Sequence, residues 1–204
     1  EIMEQMGESL KPQLPESTYF TAFIIRIYHD YTYAYINGGH QKVLHFKNDR
    51  TVEELDSKGV PLGILDVKKS DYEEMHGKIE PGEYLLMFTD GFTEQKNDLG
   101  EEYGHSRFKE SFIKARDAIK QEKTNVFSKD IVKSVVSDWK EFKSSQKNGD
   151  DLAILLLQCN TTITDALPLV RMAKVSAREK NNADAYSLAL QAYKIDPSIK
   201  DNLL

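Results

Sequence analysis

The stretch Leu85 to Gln95, LLMFTDGFTEQ, decides how this chain is read. Tyr84 to Thr89 is an apolar run of strand length, introduced by the turn signal Pro81-Gly82. It delivers Asp90 and Gly91 at its end, and Glu94 four residues beyond Asp90. Carboxylates at the edge of a core are costly to desolvate unless something pairs with them. A second run, Leu152 to Cys159 (LAILLLQC), is preceded by Asp150 and Asp151. Its unbroken apolar character predicts a central strand covered on both faces. Antiparallel neighbours of this kind would place the end of one strand beside the start of the other. Asp90 and Asp150 would then meet at one rim of a sheet. A divalent cation suits such a pair, because hard oxygen ligands favour Mg²⁺ or Mn²⁺. An Asp-Gly hairpin turn and a solvated loop end are the plain alternatives, and the residues alone leave both open. Gly91 reads as the point where the chain turns without a Cβ clash.

Working outward, residues 1–14 read as a helix, with Ile2, Met6 and Leu10 at four-residue spacing and Pro12 and Pro15 closing it. Tyr19 to Tyr28 and Thr32 to Ile36 read as strands around the turn His29-Asp30-Tyr31, the second stopped by Asn37-Gly38-Gly39. Val43 to Phe46 and Thr51 to Asp56 are further short strands, followed by the punctuated segment Gly59 to Gly63 (GVPLG) and the run Tyr72 to Ile79. Short strands joined by tight turns predict antiparallel sheets. Ser106 to Gln121 and Ser128 to Phe142 carry helical apolar stripes, with Ser128 as a capping residue and Trp139 as core packing. Tyr103 and Phe108 read as seating the first of these helices. Thr164 to Leu204 is helical in pattern, with a break near Asn181-Asn182 and Pro197 closing the second helix.

The 204 residues are 40% hydrophobic, enough for one sizeable domain and a small appendage. A net charge of −6 argues against a nucleic-acid surface. Cys159 is the single cysteine, which leaves no disulfide framework and no zinc knuckle and fits a reducing, cytoplasmic setting. No apolar run approaches the roughly 20 residues of a membrane span. His29, His45, His76 and His105 lack metal-ligand spacing.

Read in order, the segments YFTAFIIRI (19–27), YINGGH (35–40), GVPLG (59–63), IEPGEYLLMFTDGFTE (79–94), EEYGHSRF (101–108) and GDDLAILLL (149–157) resemble one family. It is the bacterial, stage-II-sporulation-E-like branch of the metal-dependent serine/threonine protein phosphatases, the type 2C superfamily. The resemblance covers about residues 1–160. It implies an α+β fold: an αββα sandwich of antiparallel sheets flanked by helices. Residues 161–204 would form a separate C-terminal helical hairpin.

It further implies that Asp90, of the TDG motif, and Asp150, opening the DD motif, are metal ligands. The ions would be Mn²⁺ or Mg²⁺, two in the family. A metal-activated water would attack a phosphoserine or phosphothreonine, so no side chain acts as nucleophile. Gly38, Gly39, His40, Gly91, Glu94 and Asp151 would lie beside this site, with His40 structural, hydrogen-bonded to a neighbouring loop. The implied substrate is a regulatory phosphoprotein, such as an anti-sigma-factor antagonist, with no nucleic acid or membrane involved.

The chain departs from the family at its start. The Gly-Asp-aromatic motif that supplies the family's first ligand has no counterpart before Tyr19, and the glycine-rich stretch that leads into a helix is also missing. The expectation is a chain lacking the family's N-terminal strands, either a weakly active fragment or a non-catalytic binding module. Open sheet edges would then invite homodimerisation. Residues 169–197 also resemble one tetratricopeptide repeat, in Leu169, Met172, Ala173, Ala185, Ala192 and Pro197. A plain helical hairpin is the alternative.

Overall fold

Alternation along the strands sorts the apolar side chains of residues 1–159 into stacked layers. The computed structural model describes residues 1–15, 17–28, 30–63, 66–122, 128–159, 170, 173–174 and 181–195. The chain divides into two units, Glu1–Cys159 and Asn160–Leu204. The first contains helix α1 (Ile2–Leu10), strands β1 (Ala22–Ile27), β2 (Thr32–Gly38), β3 (Val43–Phe46), β4 (Val52–Leu55), β5 (Met75–Lys78) and β6 (Tyr84–Phe88), helices α2 (Gly104–Glu122) and α3 (Ser128–Lys143), and strand β7 (Ile154–Gln158). The strands form two antiparallel sheets, ordered β1-β2-β5 and β4-β3-β6-β7.

Successive strand side chains point to opposite faces, so each strand serves two cores. On β6, Leu85 and Met87 face a cluster shared with Tyr33 and Tyr35 of β2 and Phe23 and Ile25 of β1, between the two sheets. Tyr84, Leu86 and Phe88 face the opposite way, against Phe108, Phe112, Ile131, Val135 and Trp139 of α2 and α3. On the outer side of the first sheet, Ala22, Ile24 and Ile36 meet Met3 and Met6 of α1 and Leu62 and Val67 of the following loop. The result is the αββα sandwich, with α1 on one outside and α2 and α3 on the other. Each large side chain buried in these layers contributes about 1.5–3 kcal/mol.

Buried polar groups join the two sheets through His45. His45 of β3 lies with Nε2 2.8 Å from Glu83 Oε2. The carboxylate can only accept, so Nε2 carries the proton and Nδ1 accepts from the Tyr33 hydroxyl at 3.3 Å. Glu83 also accepts the backbone N–H groups of Glu80 and Asn48, so this buried carboxylate is fully engaged.

Four expectations change. β7 is not a central strand: among the described residues its one strand neighbour is β6. Its run is apolar on both faces, with Leu156 buried, Leu157 half-buried and Leu155 exposed, and this says nothing of its place across the sheet. The N-terminal helix ends at Leu10 and tightens into a 3-10 turn over Lys11–Gln13, where Pro12 removes a backbone donor. β2 continues through Gly38, because its pairing with β1 extends from Tyr33 to Gly38. Ser128 is the first residue of α3, and its hydroxyl donates to Gln158 Oε1.

In the second unit, α4 (Asn182–Ile195) buries Leu188 and Ala192 against Val170 and Ala173. Leu169, Met172 and Pro197, and His29 in the first unit, lie outside the described residues. No helix among the described residues is long and apolar enough to cross a membrane.

Candidate functional site

The β6–β7 ladder runs from Tyr84↔Gln158 to Phe88↔Ile154, so the C-terminal end of β6 lies beside the N-terminal end of β7. Thr89 extends the pairing one step. Its backbone N–H donates to the Ala153 carbonyl at 3.0 Å. Its hydroxyl donates to the Asp151 carbonyl at 3.0 Å and accepts the Ala153 N–H at 2.9 Å. Asp90 then opens a 3-10 turn, Asp90–Phe92, whose leading carbonyl accepts the N–H groups of Thr93 and Glu94. The turn is fastened from outside by Trp139, whose indole N–H donates to the Phe92 carbonyl at 3.0 Å. Phe92 itself packs between Phe108 and Trp139.

Gly91 is where the two aspartate segments touch. A Cβ there would lie 2.7 Å from the Asp151 carbonyl oxygen and 3.3 Å from Asp150 Cβ. Asp90 and Asp150 therefore converge at one rim. Asp90 is half-buried, and Asp150 and Asp151 are exposed. Asp150 Oδ1 accepts the Asp151 N–H at 2.7 Å, which folds its carboxylate over the loop. No donor among the described residues engages the Asp90 carboxylate, and Glu94 is exposed beside it.

The other sheet contributes His40 to the same rim. Buried Asn37 holds the His40 main chain, accepting its N–H at 2.8 Å and donating to its carbonyl at 3.0 Å. Thr21 Oγ1 lies 3.0 Å from His40 Nδ1, a hydrogen bond to a neighbouring segment. Burial pushes the imidazole below its ordinary value, and the charge of nearby Asp90 opposes that shift. The two glycine-rich motifs press together here. A Cβ on Gly59 would lie 1.8 Å from the Asn37 carbonyl oxygen, and Gly39, at φ +72°, lies against Pro61. Gly38 sits under Met3 of α1.

A cleft of about 380 Å³ opens beside Asp150, lined by Gly91, Glu94, Gln95, Lys96, Gln146, Lys147 and Gly149. Its floor depends on Gln95, which sequence reasoning passed over. This buried amide donates to the carbonyls of Lys96 at 2.8 Å and Lys147 at 3.1 Å, and accepts the Gly149 N–H at 3.2 Å. Thr89, Asn37 and the Trp139 indole were likewise missed as braces. Thr89 and Asn37 lay inside quoted motifs. Gln95 gave no local signal, because the partners it ties to the cleft, Lys147 and Gly149, are distant in the chain.

Among the described residues, no three or more His, Cys, Asp or Glu side chains gather in a way that could hold a metal ion. Asp90 and Asp150 are two oxygen donors of the right chemistry for Mg²⁺ or Mn²⁺, yet such ions take about six ligands. The described side chains thus do not make a metal centre by themselves.

Comparison with known proteins follows this geometry. The family model of Stage II sporulation protein E (SpoIIE) matches residues 1–160. The phosphoserine phosphatase RsbU of Bacillus subtilis is 24% identical over 102 residues, covering 49% of this chain and 30% of RsbU. Protein IcfG of Synechocystis is 27% identical over 99 residues, covering 48% of this chain and 15% of IcfG. The chain thus spans well under two thirds of either relative. The PP2C domain of SiaA from Pseudomonas aeruginosa superposes with a TM-score of 0.61 at 20% identity, over 77% of this chain and 59% of that one, a likeness of fold. The fold, the order of motifs and the family match agree: this chain belongs to the SpoIIE family, the PP2C-type serine phosphatase domains.

Proposed function

We propose that the Asp90–Asp150 rim is the reaction site of a serine/threonine phosphoprotein phosphatase. The observation that carries this reading is the contact at Gly91, where the turn that starts at Asp90 meets the loop that carries Asp150, sixty positions on in the chain. When bound, Mn²⁺ or Mg²⁺ would supply a polarised water and neutralise charge at phosphorus. The chain's own residues do the positioning. Thr89 fixes the height of Asp90 above the sheet, and Gly91 admits the Asp150 loop. Trp139 and Gln95 hold the two loops from outside. Strand ends carry ligands more precisely than loops do. In this reading Gly38, Gly39 and His40 lie beside the site, with His40 near enough to feel the Asp90 charge, and Glu94 and Asp151 add charge at its edge. The substrate in this reading is a phosphoserine on a regulatory protein of the anti-sigma-factor-antagonist kind, in the cytoplasm.

Two carboxylates alone hold a cation weakly, so these 204 residues should turn over slowly. The test is calorimetric titration with Mn²⁺, alongside hydrolysis of a phosphoserine protein. Weak saturable binding, lost in Asp90→Asn and in Asp150→Asn, is expected. Binding untouched by both substitutions would refute the assignment.

The incomplete donor set favours a second reading, a phosphatase fold that binds a phosphoprotein without turnover. It predicts phosphoprotein binding that Mn²⁺ does not change, with no release of phosphate.

A further inference from the structure

Beyond Gln95 the chain makes a hairpin over Lys96 to Glu102, closed by a single bridge between those two residues. Its tip is ordered by its own polar groups. Asn97 Oδ1 accepts the N–H groups of Leu99 and Glu101, each at 3.0 Å, and Asn97 Nδ2 donates to Glu101 Oε2. The Gly100 N–H donates to the Asn97 carbonyl, and Gly100 takes φ +80°, which favours glycine. The hairpin is also tied to the turn that follows α3. Asp98 Oδ1 accepts from Ser145 Oγ at 2.9 Å and from Gln146 Nε2 at 2.8 Å.

This bracing holds Leu99 out in solvent at 82% exposure. A single exposed leucine is ordinary on a protein surface. An exposed leucine fixed at a braced tip, on the loop that also walls the Asp150 cleft, is a different object. It can bury its side chain against a partner without first losing loop entropy. The same loops place two cations in the cleft wall, Lys96 and Lys147. Lys96 lies 3.6 Å from Glu102 in an exposed pair. The Lys147 ammonium has no hydrogen bond or ion pair among the described residues. Glu94 and Asp150 supply the opposing charge.

We propose that this hairpin is a docking ledge for the phosphoserine-bearing segment of the substrate protein. Leu99 takes an apolar side chain a few residues from the phosphoserine, and Lys147 and Lys96 face the phosphate's charge at the cleft. The proposal rests on the reading of the Asp90–Asp150 rim given above and adds its specificity: an apolar residue flanking the phosphoserine.

The test uses the whole chain and fluorescence anisotropy in Mn²⁺ buffer. The probes are three peptides: one with a phosphonate mimic of phosphoserine flanked by leucines, its twin with plain serine, and the phosphonate peptide with serines replacing the leucines. The phosphonate has no ester to hydrolyse. Wild type should prefer leucine to serine flanks by about tenfold, and Leu99→Ser should erase that preference while sparing the phosphonate preference. Lys147→Gln should weaken the phosphonate preference by about threefold. Equal affinity of wild type for leucine and serine flanks, or a leucine preference that survives Leu99→Ser, overturns the ledge. The Mn²⁺ titration separates the two readings. A missing leucine preference with Mn²⁺ binding intact sinks the ledge alone. A leucine preference lost in Leu99→Ser, with no Mn²⁺ binding, supports the ledge and removes the phosphatase.

Discussion

Gly91 is required for a reason that the sequence only half discloses. The Asp-Gly pair suggested a turn needing conformational freedom, yet the special property used here is the absence of a side chain. The carbonyl of Asp151 occupies the space that a Cβ would fill. Backbone on one side and Leu152 on the other leave little room to yield. Gly91→Ala should therefore cost about 2 kcal/mol in a urea titration. It should also weaken Mn²⁺ binding, since the displaced loop carries Asp150. Full Mn²⁺ affinity in a folded Gly91→Ala chain would mean that the contact does not set the spacing. At this scale the site was partly legible. Asp90 and Asp150 stood at the mouths of two apolar runs, and the chemistry of a carboxylate there drew attention. Gln95 was illegible, since a buried glutamine that reaches Lys147 and Gly149 looks in sequence like any surface glutamine.

Among the elements, β3 shows how a polar residue is kept inside a sandwich. His45 and Glu83 are both buried and satisfy each other, and Tyr33 joins them from the opposite sheet. Removing the imidazole leaves the buried Tyr33 phenol without its acceptor and takes one of three donors from the Glu83 carboxylate. His45→Ala should lose about 3 kcal/mol at pH 7, measured by urea unfolding. Burial pushes the Glu83 carboxyl up, but the Glu80 N–H, the His45 imidazole and the Asn48 N–H together hold it below the ordinary range. Its contribution is then complete above the free glutamate value of about 4.3. That contribution is lost as pH falls through the lower folded value. Glu83→Gln should flatten the decline of stability below about pH 4.3, and an unchanged slope would place the acid sensitivity elsewhere. The strands themselves were legible because β-branched and aromatic runs bounded by glycine, proline and asparagine leave a local record. The lateral order of strands leaves none, which is why β7 was expected at the centre of its sheet. His45 offered no clue either, since its partner Glu83 lies beyond two further strands in the chain and its third member in another sheet.

For the molecule as a whole, the apolar clusters respect the division into two units. Three lie wholly within residues 1–159, and the cluster of Val170, Ala173, Leu188 and Ala192 lies within the second. A chain ending after Cys159 should unfold in one cooperative urea transition, followed by circular dichroism and by Trp139 fluorescence. Non-coincident transitions would show that the first unit needs the second. The sandwich was readable from the order of motifs, which is a long-range pattern. One further consequence follows from the two-faced strands. With apolar side chains on both sides of β6 and β7, a slip of two residues, roughly 6.6 Å, would still set apolar groups against apolar groups. Greasiness therefore cannot choose the alignment. The end clasps do so: Thr89 with Ala153 and Asp151 at one extremity, Gly82 and Glu83 with Cys159 at the other. Those clasps also bring the two aspartate segments together, so a misaligned β6–β7 pair would look fully folded by bulk probes yet lack the proposed site.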